Sequence, residues 1–201
     1  MMILAPISAN VKSDPGGLRM DFLALDFINT EWFATHYHFR DMLLEPDLRE
    51  DFLRKQGLTP DAALGPECVR ALTEERMFLK DALVSLIEKE QFPKGAEAEL
   101  NRYLTLSSGR RAVLLREGRF EVSFQPDEKD CHWIMAEVAQ SFIRLADMDA
   151  GRLRMCENPA CRWFFYDETR SRTKRCCDAT CASLVKVRRY RASKKETDPP
   201  K

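Results

Sequence analysis

The sequence lacks long apolar runs, is poor in histidine and has no excess of charge of either sign. None of its apolar segments approaches the ~18 uninterrupted residues that a membrane-spanning helix needs, so we expect no membrane partner. The three histidines form no His-Glu-x-x-His pattern, and neither a glycine-rich phosphate loop nor a Ser-His-Asp arrangement is visible. The sequence therefore gives no support for an enzyme.

The first residues of the sequence also lack the pattern of an export signal. The apolar segment 3–7 is short, contains Pro6 and has no basic residue before it, unlike a secretory signal. With 44% hydrophobic and 32% charged residues, the composition is typical of a folded chain rather than a disordered one. We therefore expect a cytoplasmic protein in which the isolated Cys68 and Cys131 are reduced core thiols.

The zero net charge hides a strong asymmetry along the chain. Residues 1–169 carry 21 basic and 29 acidic side chains, a net charge of −8, whereas residues 170–201 carry 11 basic and 3 acidic ones, a net charge of +8. A basic segment behind an acidic body is typical of nucleic-acid binding, but it could also dock against the body itself. Both possibilities stay open at this point.

The length of 201 residues allows one domain with a small appendage. Residues 1–17 contain proline and glycine without periodicity, and we expect them to form a flexible arm. Residues 18–150 should form the main domain and residues 151–195 a small module. A disordered tail, 196–201, should follow.

Apolar periodicity predicts that the main domain is α+β and mainly helical. The strongest helical signal covers residues 66–91, where leucines recur every three or four positions. Further helices are predicted within 22–39, 96–106 and 134–149. Alternating apolar and polar residues near Gly118 predict one β-hairpin.

Two polar side chains fall where these patterns place the apolar core. Asn29 interrupts an apolar segment, and Arg76 is the sole charge in the apolar stripe of the long helix, so both should point inward. A buried guanidinium needs an anion, which Asp26 or Glu31 could supply. Alternatively, Asn29 and Arg76 bind a small anionic effector, or Arg76 lines the pocket of an enzyme.

Five of the seven cysteines lie in one short segment near the C-terminus. Two short pairs, Cys156-x4-Cys161 and Cys177-x3-Cys181, are separated by fifteen residues, which lets four thiolates converge on one zinc ion. Such a zinc is structural, because four sulfur ligands leave no position for water. Cys176 is a rival to Cys177, but Cys177 lies one helical turn before Cys181 and is preferred.

Basic side chains surround the second cysteine pair and follow it. No acidic residue occurs between Asp178 and Glu196, so a helix that continues from Cys181 would be strongly basic. A basic helix anchored by a metal is suited to phosphate contacts with nucleic acid. The residues predicted to contact DNA are Arg172, Lys174, Arg175, Lys186, Arg188, Arg189 and Arg191.

These residues together resemble two known domains. The segment 152–161, the aromatic residues 163–166 and the second cysteine pair followed by the basic run 186–191 resemble the CGNR-type zinc finger. The preceding part, with the motif 25–30, the long helix and the hairpin, resembles the ABATE domain. The resemblance implies a bacterial, stress-linked transcription regulator with a treble-clef-like, zinc-dependent DNA-binding end.

The finger departs from its family in the motif that names it. The family has Gly-Asn-Arg after the fourth cysteine, whereas this chain has Ala182-Ser183-Leu184, and Cys176 replaces the usual tryptophan. The zinc ligands are kept, but an asparagine and an arginine able to contact nucleic acid are missing. We therefore expect one zinc ion and DNA binding with weak sequence preference, while the main domain senses a ligand or forms a homodimer. In the alternative, the finger is an interaction module that only staples the C-terminus onto the body.

Overall fold

The computed structural model describes residues 22–31, 39–116 and 118–197. The described part is α+β, with a β-hairpin and a C-terminal cysteine cluster, as predicted. Its elements in chain order are the helices α1 (Leu23–Ile28), α2 (Pro46–Lys55), α3 (Pro66–Lys89) and α4 (Ala96–Leu104), the hairpin strands β1 (Gly109–Arg116) and β2 (Arg119–Pro126), the helix α5 (Cys131–Ala146), a 3-10 turn (Ala150–Arg152), the short paired strands β3 (Leu153–Met155) and β4 (Phe164–Tyr166), and the helix α6 (Ala179–Thr197).

The core is built around α3 and α5, the two helices with the strongest apolar periodicity. Pro66 occupies the first turn of α3, where its missing N–H costs no hydrogen bond. Leu72, Leu79 and Leu83 of α3 are completely buried. They belong to the same apolar cluster as the buried face of α5, so the sequence pattern correctly identified both core helices.

Helix α1 lies within residues 22–39, where the sequence predicts a helix or the start of one. It ends at Ile28, because the Asn29 and Thr30 amides donate to the carbonyls of Leu25 and Phe27 at 3.0 and 3.1 Å and close the last turn. Residues 32–38 lie outside the described part of the chain. Although α1 has six residues, five of them are buried, so this short helix is a core element.

Arg76 is buried, as predicted, but its partner is Asp41 rather than Asp26 or Glu31. The Arg76 Nη1 atom donates to Asp41 Oδ1 at 2.7 Å and to the Thr30 hydroxyl at 2.9 Å. The two candidates are engaged elsewhere: Glu31 accepts from Lys80 at 2.7 Å and Asp26 from the Gln56 amide at 3.0 Å. The ion pair therefore joins α3 to the segment before α2.

Glu75, the neighbour of Arg76 in α3, is fully buried. Neither of its carboxyl oxygens has a hydrogen-bond partner among the described residues. Burial raises the pKa of Glu75 well above its ordinary value, which favours the protonated carboxyl. The negative charge beside Arg76 comes from Asp41, which is in direct contact with the guanidinium group.

Cys68 and Cys131 form a disulfide, which corrects the expectation of two reduced core thiols. Cys68 lies in the first turn of α3 and Cys131 is the first residue of α5, with their Cα atoms 5.7 Å apart. The bond therefore ties together the N-terminal ends of the two core helices. The cysteines are 63 residues apart in sequence, so no local spacing indicated the pair.

Helix α6 continues to Thr197, into the segment 196–201 that was predicted as a disordered tail. Residues 198–201 and the predicted arm 1–17 lie outside the described residues. Among the helices that the structure describes, none has the length and apolar composition needed to cross a bilayer.

We predict that Asp41→Asn lowers the free energy of unfolding by about 2–3 kcal/mol, because it leaves the buried Arg76 without a carboxylate. Urea denaturation of the purified protein measures this loss. The matched control is Asp51→Asn, since Asp51 pairs with Arg54 and Lys55 at the surface and should cost less than ~1 kcal/mol. Equal losses in the two variants would contradict the buried ion pair.

Candidate metal centre

The first two cysteines of the cluster lie on a knuckle between two short strands. Cys156 follows β3 directly, and its amide donates to the Trp163 carbonyl at 2.8 Å, which extends the pairing of β3 with β4. The chain then turns sharply, and the Cys161 amide donates to the carbonyl of Asn158 at 2.8 Å. The turn-forming residues between Cys156 and Cys161 therefore form the predicted knuckle.

The second pair lies at the start of α6. Asp178 precedes this helix, and its Oδ1 atom accepts a hydrogen bond from the Cys181 amide at 2.8 Å, as a helix cap does. Cys181 is in the first turn, whereas Cys177 lies before Ala179, where the helix begins. The prediction that both cysteines share a helix face is therefore wrong, because the helix begins after its cap, Asp178, and Cys177 lies before it.

The structure brings together the four cysteines that the spacing selected. The Sγ atoms of Cys156, Cys161, Cys177 and Cys181 all lie within 4.8 Å of one another. Cys161 Sγ and Cys177 Sγ are 3.6 Å apart, which is far beyond a disulfide bond of ~2.05 Å. It is close to the ~3.8 Å edge of a tetrahedron with zinc–sulfur bonds of ~2.3 Å. Four thiol donors at this separation fit a structural zinc ion.

Cys176 lies beside this cluster but is not one of the four. It is buried and packs in the same small apolar core as Cys156, Cys161, Cys181 and Phe165. Burial and the neighbouring Cys156 raise the pKa of the Cys176 thiol. Cys176 therefore serves as an apolar packing residue of the finger.

The pKa values of two cysteines in the cluster shift in opposite directions, so that Cys156 gives up its proton to a metal more readily than Cys181 does. Burial works against the Cys156 thiolate, but hydrogen bonds from the backbone of Cys177 and Asn158 hold its pKa below the ordinary value. Burial raises the pKa of Cys181 to about 12. A metal ion must displace this proton, so metal affinity should rise with pH.

Asn158, which the sequence analysis did not single out, connects the cluster to its surroundings. It is completely buried, and its Nδ2 atom donates to Cys181 Sγ at 3.3 Å. Its Oδ1 atom accepts from the Ala160 amide at 3.2 Å and from Arg188 Nη1 at 3.3 Å. One amide group therefore orients a sulfur ligand, the knuckle and the basic helix. The Asn-Pro sequence between two cysteines indicated a turn, but not this role.

Asp167 organises the loop between the two cysteine pairs. Its carboxylate accepts hydrogen bonds from the Thr169 amide and from the Lys174 amide, both at 2.9 Å. The Thr169 hydroxyl also donates to Asp167 and holds the pKa of this carboxyl below its ordinary value. Arg152 fastens the same loop by donating to the carbonyls of Asp167 and Thr169.

The finger is fastened to the main domain by the side chain of Asn29. Its Nδ2 atom donates to the Phe164 carbonyl at 2.8 Å, and the Phe164 amide donates to its Oδ1 atom at 2.9 Å. The side-chain amide thus pairs with β4 as a peptide group of a neighbouring strand would. The Phe164 ring is buried in the core of the main domain, and Arg172 pairs with Asp149 at 2.8 Å.

The two residues predicted to bind an effector, Asn29 and Arg76, both have protein partners in this structure. Two surface clefts of the described chain lie elsewhere: one along residues 47–64, and one beside the disulfide of Cys68 and Cys131. A ligand at Asn29 and Arg76 stays a prediction.

The residues predicted to contact DNA fall into two sets. The first set is held by neighbouring side chains within the finger or the main domain, and Lys174 lies over the Phe165 ring at 5.0 Å. Such residues can reach a phosphate only by changing partners. The held arginines pair as Arg175 and Arg189 with Glu157, Arg188 with Asn158, and Arg172 with Asp149.

The second set, Lys186 and Arg191, lies on the exposed surface of α6. Both are exposed, and the ion pair that α6 makes among the described residues is that of Arg189 with Glu157. Every residue from Ala182 to Lys194 is exposed except Val185, which is half-buried. Helix α6 therefore presents a long basic surface to solvent.

Comparison with known families agrees with this arrangement. Residues 152–194 match the family described as CGNR zinc finger. Residues 21–148 match ABATE, described as "putative stress-induced transcription regulator". The chain belongs to the ABATE family. The order of the two domains confirms the resemblance found in the sequence, and neither family is a family of enzymes. No curated protein matches the chain.

We predict that this ABATE-family protein carries about one zinc ion per chain, as four thiolates in one tetrahedral shell require. Cys177→Ser should lose the ion, whereas the matched variant Cys176→Ser should keep it. Mass spectrometry for metals after dialysis against a weak chelator measures both. Full zinc content in Cys177→Ser with loss in Cys176→Ser would contradict the assignment.

Asn158→Ala should weaken zinc binding about 10- to 100-fold, because Cys181 loses the amide that orients it. Competition with a chromogenic chelator gives the affinity. Asn101→Ala changes an exposed asparagine of α4 and should leave zinc affinity unchanged. If both variants bind zinc as the wild type does, Asn158 has no part in holding the metal.

Proposed function

We propose that this ABATE-family protein is a zinc-dependent, DNA-binding transcription regulator. The observation that carries the proposal is the exposed basic surface of α6, which is joined at Cys181 to the four-cysteine cluster. A structural metal at this point fixes where the helix starts and in which direction it runs. The CGNR family match supports the same assignment.

The dimensions and charge of α6 suit a groove of duplex DNA. Its 19 residues correspond to a rod about 28 Å long, and the major groove is about 12 Å wide. No acidic residue interrupts α6 between its cap, Asp178, and Glu196. Lys186 and Arg191 are therefore proposed as the first phosphate contacts, with Arg188 and Arg189 joining when they leave their present partners.

The proposed DNA binding is weak in sequence preference. Side chains that read bases need donors and acceptors placed against base edges. At the start of α6 this chain has Ala182, Ser183 and Leu184 in place of the family's Gly-Asn-Arg. Most of the binding energy should accordingly come from the phosphate backbone.

We also propose a regulatory input through the ABATE domain, in the cytoplasm of a bacterium. An anionic effector at Arg76 would have to displace Asp41 from the guanidinium group, whose side chain is only 5% exposed. Such an exchange would release the segment before α2 from α3. The effector would therefore act by breaking an existing ion pair.

A second candidate function, protein interaction, rests on different observations. The finger is fastened to the main domain through Asn29 and Phe164, as a staple would require. Leu184, Val187 and Tyr190 follow one another at intervals of three along α6 and are 43%, 44% and 60% exposed. An apolar row at this spacing could bind a partner protein.

The salt dependence of DNA binding separates these two functions. If about four phosphates are neutralised, log affinity should fall with log salt with a slope near −3.6. Fluorescence anisotropy with a random duplex measures the slope. Lys186→Ala with Arg191→Ala should reduce it by about 1.8, the share of two contacts, with zinc content unchanged.

The matched control removes two exposed lysines from the main domain, by Lys89→Ala with Lys94→Ala. It makes the same change in net charge and should leave the slope unchanged. If the wild-type protein fails to bind DNA even near about 50 mM salt, the finger is a staple and the regulator proposal is wrong.

A further inference from the structure

The hairpin of β1 and β2 carries an apolar face that is exposed to solvent. Val113 pairs with Val122 and Leu115 with Phe120, while Phe124 lies opposite Arg111. Because side chains alternate along a strand, all of these lie on the same face. The exposed fractions are 64% for Val113, 66% for Leu115, 80% for Phe120, 72% for Val122 and 39% for Phe124.

The opposite face of the same hairpin has the composition expected of a surface. It carries Arg110, Arg119 and Glu121, whereas Arg111 is the one charged residue on the apolar face of the described strands. A two-stranded hairpin is marginally stable alone and gains stability when an apolar face packs against another surface. The apolar face of this hairpin is nevertheless exposed, as are Arg110, Arg119 and Glu121 on the opposite face.

We infer that this face is the surface through which two copies of the chain associate. Its five apolar side chains expose on the order of 500 Å². A specific interface at the lower end of the standard range needs about 600 Å² from each partner. One hairpin face therefore supplies most of the area that a dimer requires, without a contribution from any other element.

The distribution of residues on the face is suited to pairing with itself. Val113 and Val122 form its centre, Phe120 lies near the tip and Phe124 near the base. When two such faces stack in opposite directions about a twofold axis, Phe120 of one copy meets the end of the other copy that carries Phe124 and Arg111. An aromatic ring against a ring and a guanidinium is a favourable contact, and the symmetry makes it twice.

The same composition argues against nucleic acid as the occupant, since a phosphate-binding surface needs several cations and this face has only Arg111 among its described residues. The face also shares no residue with α6 or with the cysteine cluster. The inference is consequently independent of the proposed DNA binding.

Sedimentation equilibrium of the 201-residue chain between about 1 and 100 μM tests the dimer. The wild type should associate with a dissociation constant in this range. Val122→Glu should weaken association by at least about 100-fold, because each dimer would bury two lone carboxylates. The matched control, Ser123→Glu, adds the same charge to the other face and should leave the dissociation constant unchanged.

Circular dichroism and zinc content show whether each variant keeps its fold. Phe120→Ser provides a second variant, since a side chain that is 80% exposed contributes little to folding, and it should also weaken the dimer. A wild type that stays monomeric over the whole range would overturn the inference. Equal dissociation constants for Val122→Glu and Ser123→Glu would also overturn it. A monomeric protein whose binding to anionic phospholipid vesicles depends on Val122 would do the same.

Discussion

The convergence of four thiols on one point is the constraint on which the C-terminal finger depends. Helix α6 has almost no buried surface of its own: Cys181 is buried and Val185 half-buried, while the residues from Leu184 to Lys194 otherwise face solvent. A helix of this kind cannot be placed by hydrophobic packing. Its position follows from the four-cysteine cluster and from the cap at Asp178, so the cluster decides where the basic helix lies.

Polar and covalent links of the main domain complement this anchor. Asn29 joins the domain to β4 through two hydrogen bonds, and the pair of Arg76 and Asp41 holds the segment before α2 against α3. The disulfide of Cys68 and Cys131 ties α3 to α5 at their N-terminal ends. These hydrogen bonds, the ion pair and the disulfide stabilise the fold in addition to the burial of apolar side chains around the two core helices.

The sequence allowed prediction where the signal was periodic or local. The leucines of α3, the turn at Gly118 and the spacing of the cysteines each indicate structure within a few residues. Prediction of the contact partner failed where two residues distant in sequence meet. Arg76 lies 35 positions from Asp41, and Cys68 lies 63 positions from Cys131. No local pattern records such pairs. Asn29 was recognised as an inward-facing polar residue, but its partner is 135 positions away and is a backbone group, which every residue possesses.

The single amide of Asn158 has a thermodynamic consequence for the whole finger. Its nitrogen donates to the sulfur of Cys181, and its oxygen accepts from Arg188 on the basic helix. The metal shell and an arginine of the solvent-facing helix are thus two sites that share one hydrogen-bonded group. If the cluster holds a metal and α6 binds a ligand, as we propose, a ligand that draws Arg188 away changes the environment of that sulfur. By reciprocity the metal then changes the affinity for this ligand by the same factor. Metal retention would in that case report on what the helix holds.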